Sequence, residues 1–212
     1  MDYEITAIKA QKRNQKRVNV YLDGEYAFGV SRIVAAWLEV GQRISDEKIT
    51  QLKSEDGREI AYQQALKFLS YRPRSEAEVR QNLLSHKYPN EDITFTLERL
   101  RQNKLVDDVR FAQAWVENRV DLRPRGIRAL EYELRNKGIT QDIIDQSLNG
   151  LDEQLLANSA ARQRAPRWEH LEPSDFKTKM HAYLSRRGFN YSIAREATDH
   201  AWIEIHGIED KL

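Results

Sequence analysis

The chain has 212 residues, 40% of them hydrophobic and 32% charged, with 34 lysines and arginines against 33 aspartates and glutamates. That mixture suits a folded protein with a modest core, and a formal net charge of +1 excludes nucleic-acid binding by bulk charge, so electrostatic binding has to come from local patches. There is no cysteine, which excludes disulfides, thiolate metal sites and a cysteine nucleophile and fits a reducing compartment.

The first residues, "MDYEITAIKAQKRNQKRVNV", lack the apolar core of a signal peptide, and no run reaches the roughly 18 apolar residues of a membrane span. The expected location is the cytoplasm. Residues 1 to about 30 alternate polar and apolar positions in "YEITAIKAQ" and "RVNVYLD", which predicts strands. Asp23-Gly24 between "VNVYL" and "EYAFGV" predicts a tight hairpin, because both central turn residues need positive φ. "SRIVAAWLEV" reads as a short helix closed by Gly41, and "SDEKITQLKSED" as another with Ser45 as N-cap.

From Glu59 onward the pattern is helical, and it repeats. "RPR" occurs at Arg72-Pro73-Arg74 and again at Arg123-Pro124-Arg125, an offset of 51 (123 − 72). Val79 and Leu83 match Leu130 and Leu134 at that offset; the register then slips by one, and "KYPNEDI" aligns with "KGITQDI" at an offset of 50 (Lys87 to Lys137). A weaker third copy, "MHAYLSRRGFNYSI", lies 50 residues beyond "LEYELRNKGITQDI", with Met180, Leu184, Gly188, Phe189 and Ile193 on Leu130, Leu134, Gly138, Ile139 and Ile143.

Each copy parses as three helices. In the first, "REIAYQQALKFLSY" ends before Pro73, Ser75 and Glu78 form a capping box for helix two, and Asn90 caps helix three. In the second, Asp107 or Asp108 opens helix one, Phe111, Ala112, Trp115 and Val116 form its apolar face, Gly138 ends helix two and Thr140 caps helix three. A three-helix unit of this size has a small core, so stacking copies would bury more apolar surface. The expected fold is mostly α: tandem three-helix (helix-turn-helix-like) repeats in an elongated array with a small N-terminal β-hairpin extension. The boundaries fall at 1–58 for the hairpin and short helices, and at 59–106, 107–150 and 151–212 for three repeats, the last diverged.

Three-helix units resemble DNA-reading modules, but a recognition helix should offer basic or amide side chains. Here helix three carries Glu91, Asp92 and Glu98 against Arg99 and Arg101 in the first copy, and Asp142 and Asp145 with no basic residue in the second. Carboxylates repel phosphate, which argues against base readout. The cations gather instead at the turn between helices one and two: Arg72, Arg74, Arg123, Arg125 and Arg128. Two readings stand side by side. They form a recurring basic ridge for an acidic protein surface or a phosphate backbone, or they pair with nearby carboxylates and cap helix one. The run "KAQKRNQKR" adds Lys9, Lys12, Arg13, Lys16 and Arg17 with no acid between them, as a nucleic-acid contact, a solvated loop or an edge-strand guard.

Trp37, Trp115, Trp168 and Trp202 read as core or interface aromatics rather than stacking platforms for single strands. Enzyme signals are poor. Gly24 and Gly29 have P-loop spacing, but Val30 stands where the phosphate-binding lysine belongs. His86, His170, His181, His200 and His206 are scattered without a zinc-ligand pair, and no carboxylate pair stands out. No enzyme, cofactor or metal is expected.

The stretch from Arg72 to Ile139 resembles the RecX regulatory proteins of bacteria. The features are Arg72-Pro73-Arg74-Ser75 with Glu78, Leu105 through Asp108 ahead of Phe111-Ala112 and Trp115-Val116 with Arg119, then Arg125-Gly126, Leu134 and Lys137-Gly138-Ile139. The resemblance covers about residues 60 to 148, residues 149 to 212 fit a diverged last repeat, and the hairpin is similar to the extension of longer members. It implies a non-enzymatic modulator of the RecA recombinase that binds along the groove of the RecA filament on single-stranded DNA. Such proteins typically inhibit strand exchange, ATP hydrolysis and co-protease activity in DNA repair and the SOS response, and some bind DNA directly. The alternative is a RecA-independent, sequence-tolerant DNA-binding protein. The resemblance brings no residue-level contacts, so the candidate partner-binding residues remain those of the charge pattern: Arg72, Arg74, Arg123, Arg125, Arg128, Lys12, Arg13, Lys16 and Arg17.

Overall fold

A computed structural model describes residues 2–207. Strands β1 (Asp2–Ala10), β2 (Arg17–Leu22), β3 (Glu25–Ser31) and β4 (Arg43–Ser45) form one antiparallel sheet in the order β3-β2-β1-β4. The β2–β3 turn is the expected one, with Asp23 at φ 48 and Gly24 at φ 91. Its tip is tied to β1: the Glu4 amide donates to Asp23 Oδ1 at 3.0 Å, and the Gly24 amide to Thr6 Oγ1 at 2.9 Å. Strict alternation along β2 buries Val18, Val20 and Leu22 on one face, where they meet Ile5, Phe28, Val30, Ile44 and Leu52.

The segment expected as a short helix is a single 3-10 turn, Val34–Trp37. Ala35 and Leu38, three residues apart, are its buried anchors, a spacing that suits three residues per turn. Trp37 points outward and is 88% exposed, so it is not a core aromatic.

The two helices expected around Gly57 are one, α1 (Asp46–Leu69), opened by Ser45, whose side chain accepts from the Lys48 amide. A helical glycine costs only about 1 kcal/mol against alanine, and packing at both ends outweighs it. Leu52 belongs to the sheet core, whereas Ala61, Tyr62 and Ala65 belong to the next core along the chain. At Gly57 a Cβ would come to 3.2 Å from Asp92 Oδ2, so the missing side chain makes room for the following helices.

The second half of α1 packs with α2 (Glu76–Ser85) and α3 (Asn90–Gln102) around Val79, Leu83, Ile93, Leu97 and Leu100. These elements, with the sheet, make one compact unit that ends at Val106; a second unit begins at Asp107. In the second, α4 (Asp108–Leu122), α5 (Ile127–Asn136) and α6 (Gln141–Leu148) enclose Phe111, Ala112, Val116, Leu130, Leu134 and Ile144. Then α7 (Glu153–Arg164), α8 (Pro173–Arg186) and α9 (Tyr191–His206) enclose Leu156, Phe176, Met180, Leu184 and several alanines. Val120 and Leu151 pack against both of these cores and join them.

The turn after the second helix of each set corrects the repeat alignment. Lys87, Gly138 and Gly188 all take positive φ, at 64°, 76° and 90°. The next amide reaches back to the same carbonyl in each: Tyr88 to Leu83 at 3.3 Å, Ile139 to Leu134 at 3.1 Å, Phe189 to Leu184 at 3.3 Å. Lys87 therefore corresponds to Gly138 rather than Lys137, the offset stays at 51, and no slip occurs. Ile93 accordingly pairs with Ile144, which is fully buried, and not with Ile143. Cap positions follow the same register at Pro89, Thr140 and Asn190, so Asn90 is the first residue of α3 rather than its cap.

Candidate partner-binding surfaces

The first "RPR" corner is held by its own helix. Ser75 caps α2 reciprocally with Glu78, and the Glu78 carboxylate also receives Arg72 at 2.8 Å. Arg72 donates besides to the Pro73 carbonyl at 2.9 Å. Arg74 lies over the Phe68 ring at 4.1 Å, 3.9 Å from Glu78, with its side chain only 17% exposed. In this copy the arginines brace the helix junction.

The second corner is built differently, because Gly126 stands where Ser75 does and Ala129 where Glu78 does. Without side-chain caps, the start of α5 borrows partners from the third helix set. The Gly126 amide donates to the Arg187 carbonyl at 2.9 Å, and the Ile127 amide to Glu153 Oε1 at 3.0 Å. Arg125 turns to Glu133, 3.1 Å away, a carboxylate that also takes Arg119 at 2.8 Å and the Trp115 indole N–H at 2.7 Å. Arg123 and Arg128 are exposed and have no ion pair among the described residues.

Two further arginines, unmarked in the sequence reading, join this corner. Arg187 donates to the Pro124 carbonyl at 2.9 Å and stacks over Tyr183 at 4.6 Å. Arg164 lies over Trp168 at 4.6 Å and over the same Tyr183 at 5.4 Å. Burial lowers the Arg187 pKa; the neighbouring charges of Arg125, Arg123 and Arg164 push the same way, and Tyr183 opposes them. A signal for Arg187 was available: Arg187-Gly188 falls on Lys137-Gly138 at the 50-residue offset, so a cation recurs before the turn glycine.

At the sheet, Lys12, Arg13 and Lys16 are exposed in the β1–β2 connection with no ion pair among the described residues. Arg17 is different. It grips the buried Asp56 of α1 through both terminal nitrogens, at 2.7 and 3.2 Å, and donates to the Gly29 carbonyl at 2.9 Å. Asp56 also accepts the Ser31 amide at 2.7 Å, so this pair fastens sheet to helix. On α3 two carboxylates are likewise engaged: Glu91 meets Arg58 at 2.5 Å, and Asp92, its pKa raised chiefly by burial, lies 3.8 Å from the same arginine.

No group of three or more histidine or acidic side chains is placed to hold a metal among the described residues, and no helix there is long and apolar enough to cross a membrane. The candidate cations that are exposed without an ion pair among the described residues thus fall into two groups, Lys12, Arg13 and Lys16 beside the sheet and Arg123 and Arg128 where the second and third helix sets meet.

Comparison with known proteins bears on both. Residues 3–45 match the regulatory protein RecX N-terminal domain, residues 61–100 the first RecX three-helix domain and residues 107–148 the second. The chain is 32% identical to Regulatory protein RecX of Bacillus pumilus over 93% of this chain and 77% of that one. It is 37% identical to Regulatory protein RecX of Levilactobacillus brevis over 90% and 73%. A crystal structure of regulatory protein RecX superimposes with a TM-score of 0.73 at 29% identity, covering 93% of this chain and 99% of that one. The fold of RecX from Lactobacillus salivarius matches with a TM-score of 0.59 over 69% of this chain and 97% of that one, at 24% identity. With its sheet and both of its first helix sets matched, this chain belongs to the RecX family of regulatory proteins.

Proposed function

We propose that this protein is a non-catalytic modulator of the RecA recombinase, acting in the cytoplasm. It binds the RecA filament on single-stranded DNA and lowers recombinase, ATPase and co-protease activity during DNA repair and the SOS response. The observation that carries this reading, beside family membership, is the recurrence of one helical unit with the same turn at Lys87, Gly138 and Gly188. A chain of repeated modules suits a repeating target, because several weak contacts on one chain raise one another's effective concentration. The exposed cations at Arg123, Arg128, Lys12, Arg13 and Lys16 supply charge complementarity without base readout. The test is anisotropy of the labelled chain with RecA filaments on single-stranded DNA. Saturable binding is expected, and none at micromolar filament would contradict the reading.

The second reading is sequence-tolerant DNA binding without RecA, favoured by Lys12, Arg13 and Lys16, which are exposed and without an ion pair among the described residues. Binding to DNA alone should then be tight at low salt and fall steeply as salt rises. Undetectable binding at low salt rejects it.

A further inference from the structure

Four arginines gather where the second helix set meets the third, and the charges of Arg125, Arg123 and Arg164 all act on Arg187. Arg123 and Arg125 flank Pro124, whose carbonyl holds Arg187 at 2.9 Å, and Arg187 shares the Tyr183 ring with Arg164. They come from three separate segments: the α4–α5 corner, the end of α7 and the α8–α9 turn. Such a gathering normally comes with matching carboxylates. Here Glu133 is occupied by Arg119, Arg125 and Trp115, and Glu153 by the Ile127 amide. Among the described residues Arg123, Arg164 and Arg187 have no ion pair at all, and the Arg164 Nε is buried without a hydrogen-bond partner.

The charges are held together by other means. The close approach of Gly126 to Gly188 sets the α4–α5 corner against the α8–α9 turn, the Pro124 carbonyl accepts from the Arg187 guanidinium, and the faces of Trp168 and Tyr183 lie under the guanidinium groups of Arg164 and Arg187. These supports fix the positions; Glu133 offsets Arg125, while Arg123, Arg164 and Arg187 carry their charge without an ion pair among the described residues. Several guanidinium groups close together match the many oxygens of a phosphate better than the two of a carboxylate, and arginine is suited to bidentate phosphate contacts.

We propose that Arg123, Arg125, Arg164 and Arg187 form an oxyanion site that takes a phosphate group, either of a free phosphate or nucleotide or of a polynucleotide backbone. The proposal deepens the reading of the second corner as a contact surface, but its test uses the protein alone. Failure here therefore leaves RecA regulation standing, and failure of RecA regulation leaves this site standing.

The full chain is titrated calorimetrically with inorganic pyrophosphate, with chloride at equal ionic strength as reference, and separately with an oligodeoxythymidylate. Saturable pyrophosphate binding is expected, with affinity falling at least tenfold in the Arg123→Gln/Arg164→Gln double variant. Arg164 packs on Trp168, so Arg123→Gln alone serves as a second variant; its side chain is exposed, and a severalfold loss is expected with an unchanged helical signal. Arg110→Gln, at the far end of α4, should bind as the unmodified chain does. Oligonucleotide binding that is weakened by the same variants and displaced by pyrophosphate supports a backbone phosphate. Pyrophosphate binding without that dependence supports a free phosphate. Heats no different from chloride, undiminished affinity in the variants, or binding of polyglutamate but not pyrophosphate would each overturn the proposal.

Discussion

Gly126 and Gly188 meet backbone to backbone. The amide of Gly126 donates to the carbonyl of the residue before Gly188 at 2.9 Å, and a Cβ on Gly126 would lie 2.6 Å from the Gly188 carbonyl carbon. Neither side of this contact can yield by rotating a flexible side chain. Gly126→Ala is therefore expected to lower stability by about 1–3 kcal/mol, as other overpacking changes do. Urea unfolding measures it; a midpoint within error of the unmodified chain would mean the two segments move apart without cost.

Arg17 and Lys16 are adjacent in sequence but should behave oppositely. Arg17→Ala leaves the buried Asp56 carboxylate without its bidentate partner and is expected to cost about 3 kcal/mol. Lys16→Ala, at an exposed position without an ion pair among the described residues, should stay within about 0.5 kcal/mol. Equal effects in thermal or urea unfolding would contradict the assignment of Arg17 to the sheet–helix joint.

Among the four tryptophans, Trp115 and Trp37 are the contrasting pair. Trp115 stacks on Phe111 at a ring separation of 5.9 Å and donates to Glu133, so Trp115→Ala should cost about 3 kcal/mol. Trp37, 88% exposed, should be replaceable by alanine with little change in stability. The same unfolding measurement separates them, and a large loss at Trp37 would place it in an interface.

The pH dependence of stability carries a recognisable contribution from Glu76. Its hydrogen bond from Arg101 holds the carboxyl below the ordinary carboxylate range, although desolvation opposes this. A depressed folded pKa stabilises above the unfolded pKa, and that stabilisation is lost as pH falls through the folded value. Glu76→Gln should therefore flatten the fall in urea stability between neutral pH and the acid side of the carboxylate range. An unchanged slope would show that the pair contributes nothing net.

Local chemistry made much of the fold readable. Asp23-Gly24, the Ser75–Glu78 box and the buried series Leu83, Leu134 and Leu184 each depend on residues close in sequence, and each was legible. The merger of two helices at Gly57 was not, because packing against both the sheet and α3 outweighs the glycine's local cost. The apparent register slip arose because Lys87 adopts the conformation that glycine takes in the other copies, and a lysine one residue off then looked like its match. At the candidate surfaces, the cations were legible but their partners were not. Neighbours on other elements decide them: Asp56, 39 residues away, claims Arg17, and Glu133 on the following helix claims Arg125. The contrast between the two corners was nevertheless present in the sequence, in Ser75 and Glu78 against Gly126 and Ala129.

Regulation of RecA is tested most directly by single-stranded-DNA-dependent ATP hydrolysis by the RecA of the same organism, with this protein titrated in. Hydrolysis is expected to fall to a plateau, and the Arg123→Glu/Arg128→Glu variant, whose side chains are exposed, should need at least tenfold more protein to reach it. Hydrolysis and filament assembly both unchanged at saturating amounts of the unmodified protein would contradict a role as a RecA regulator.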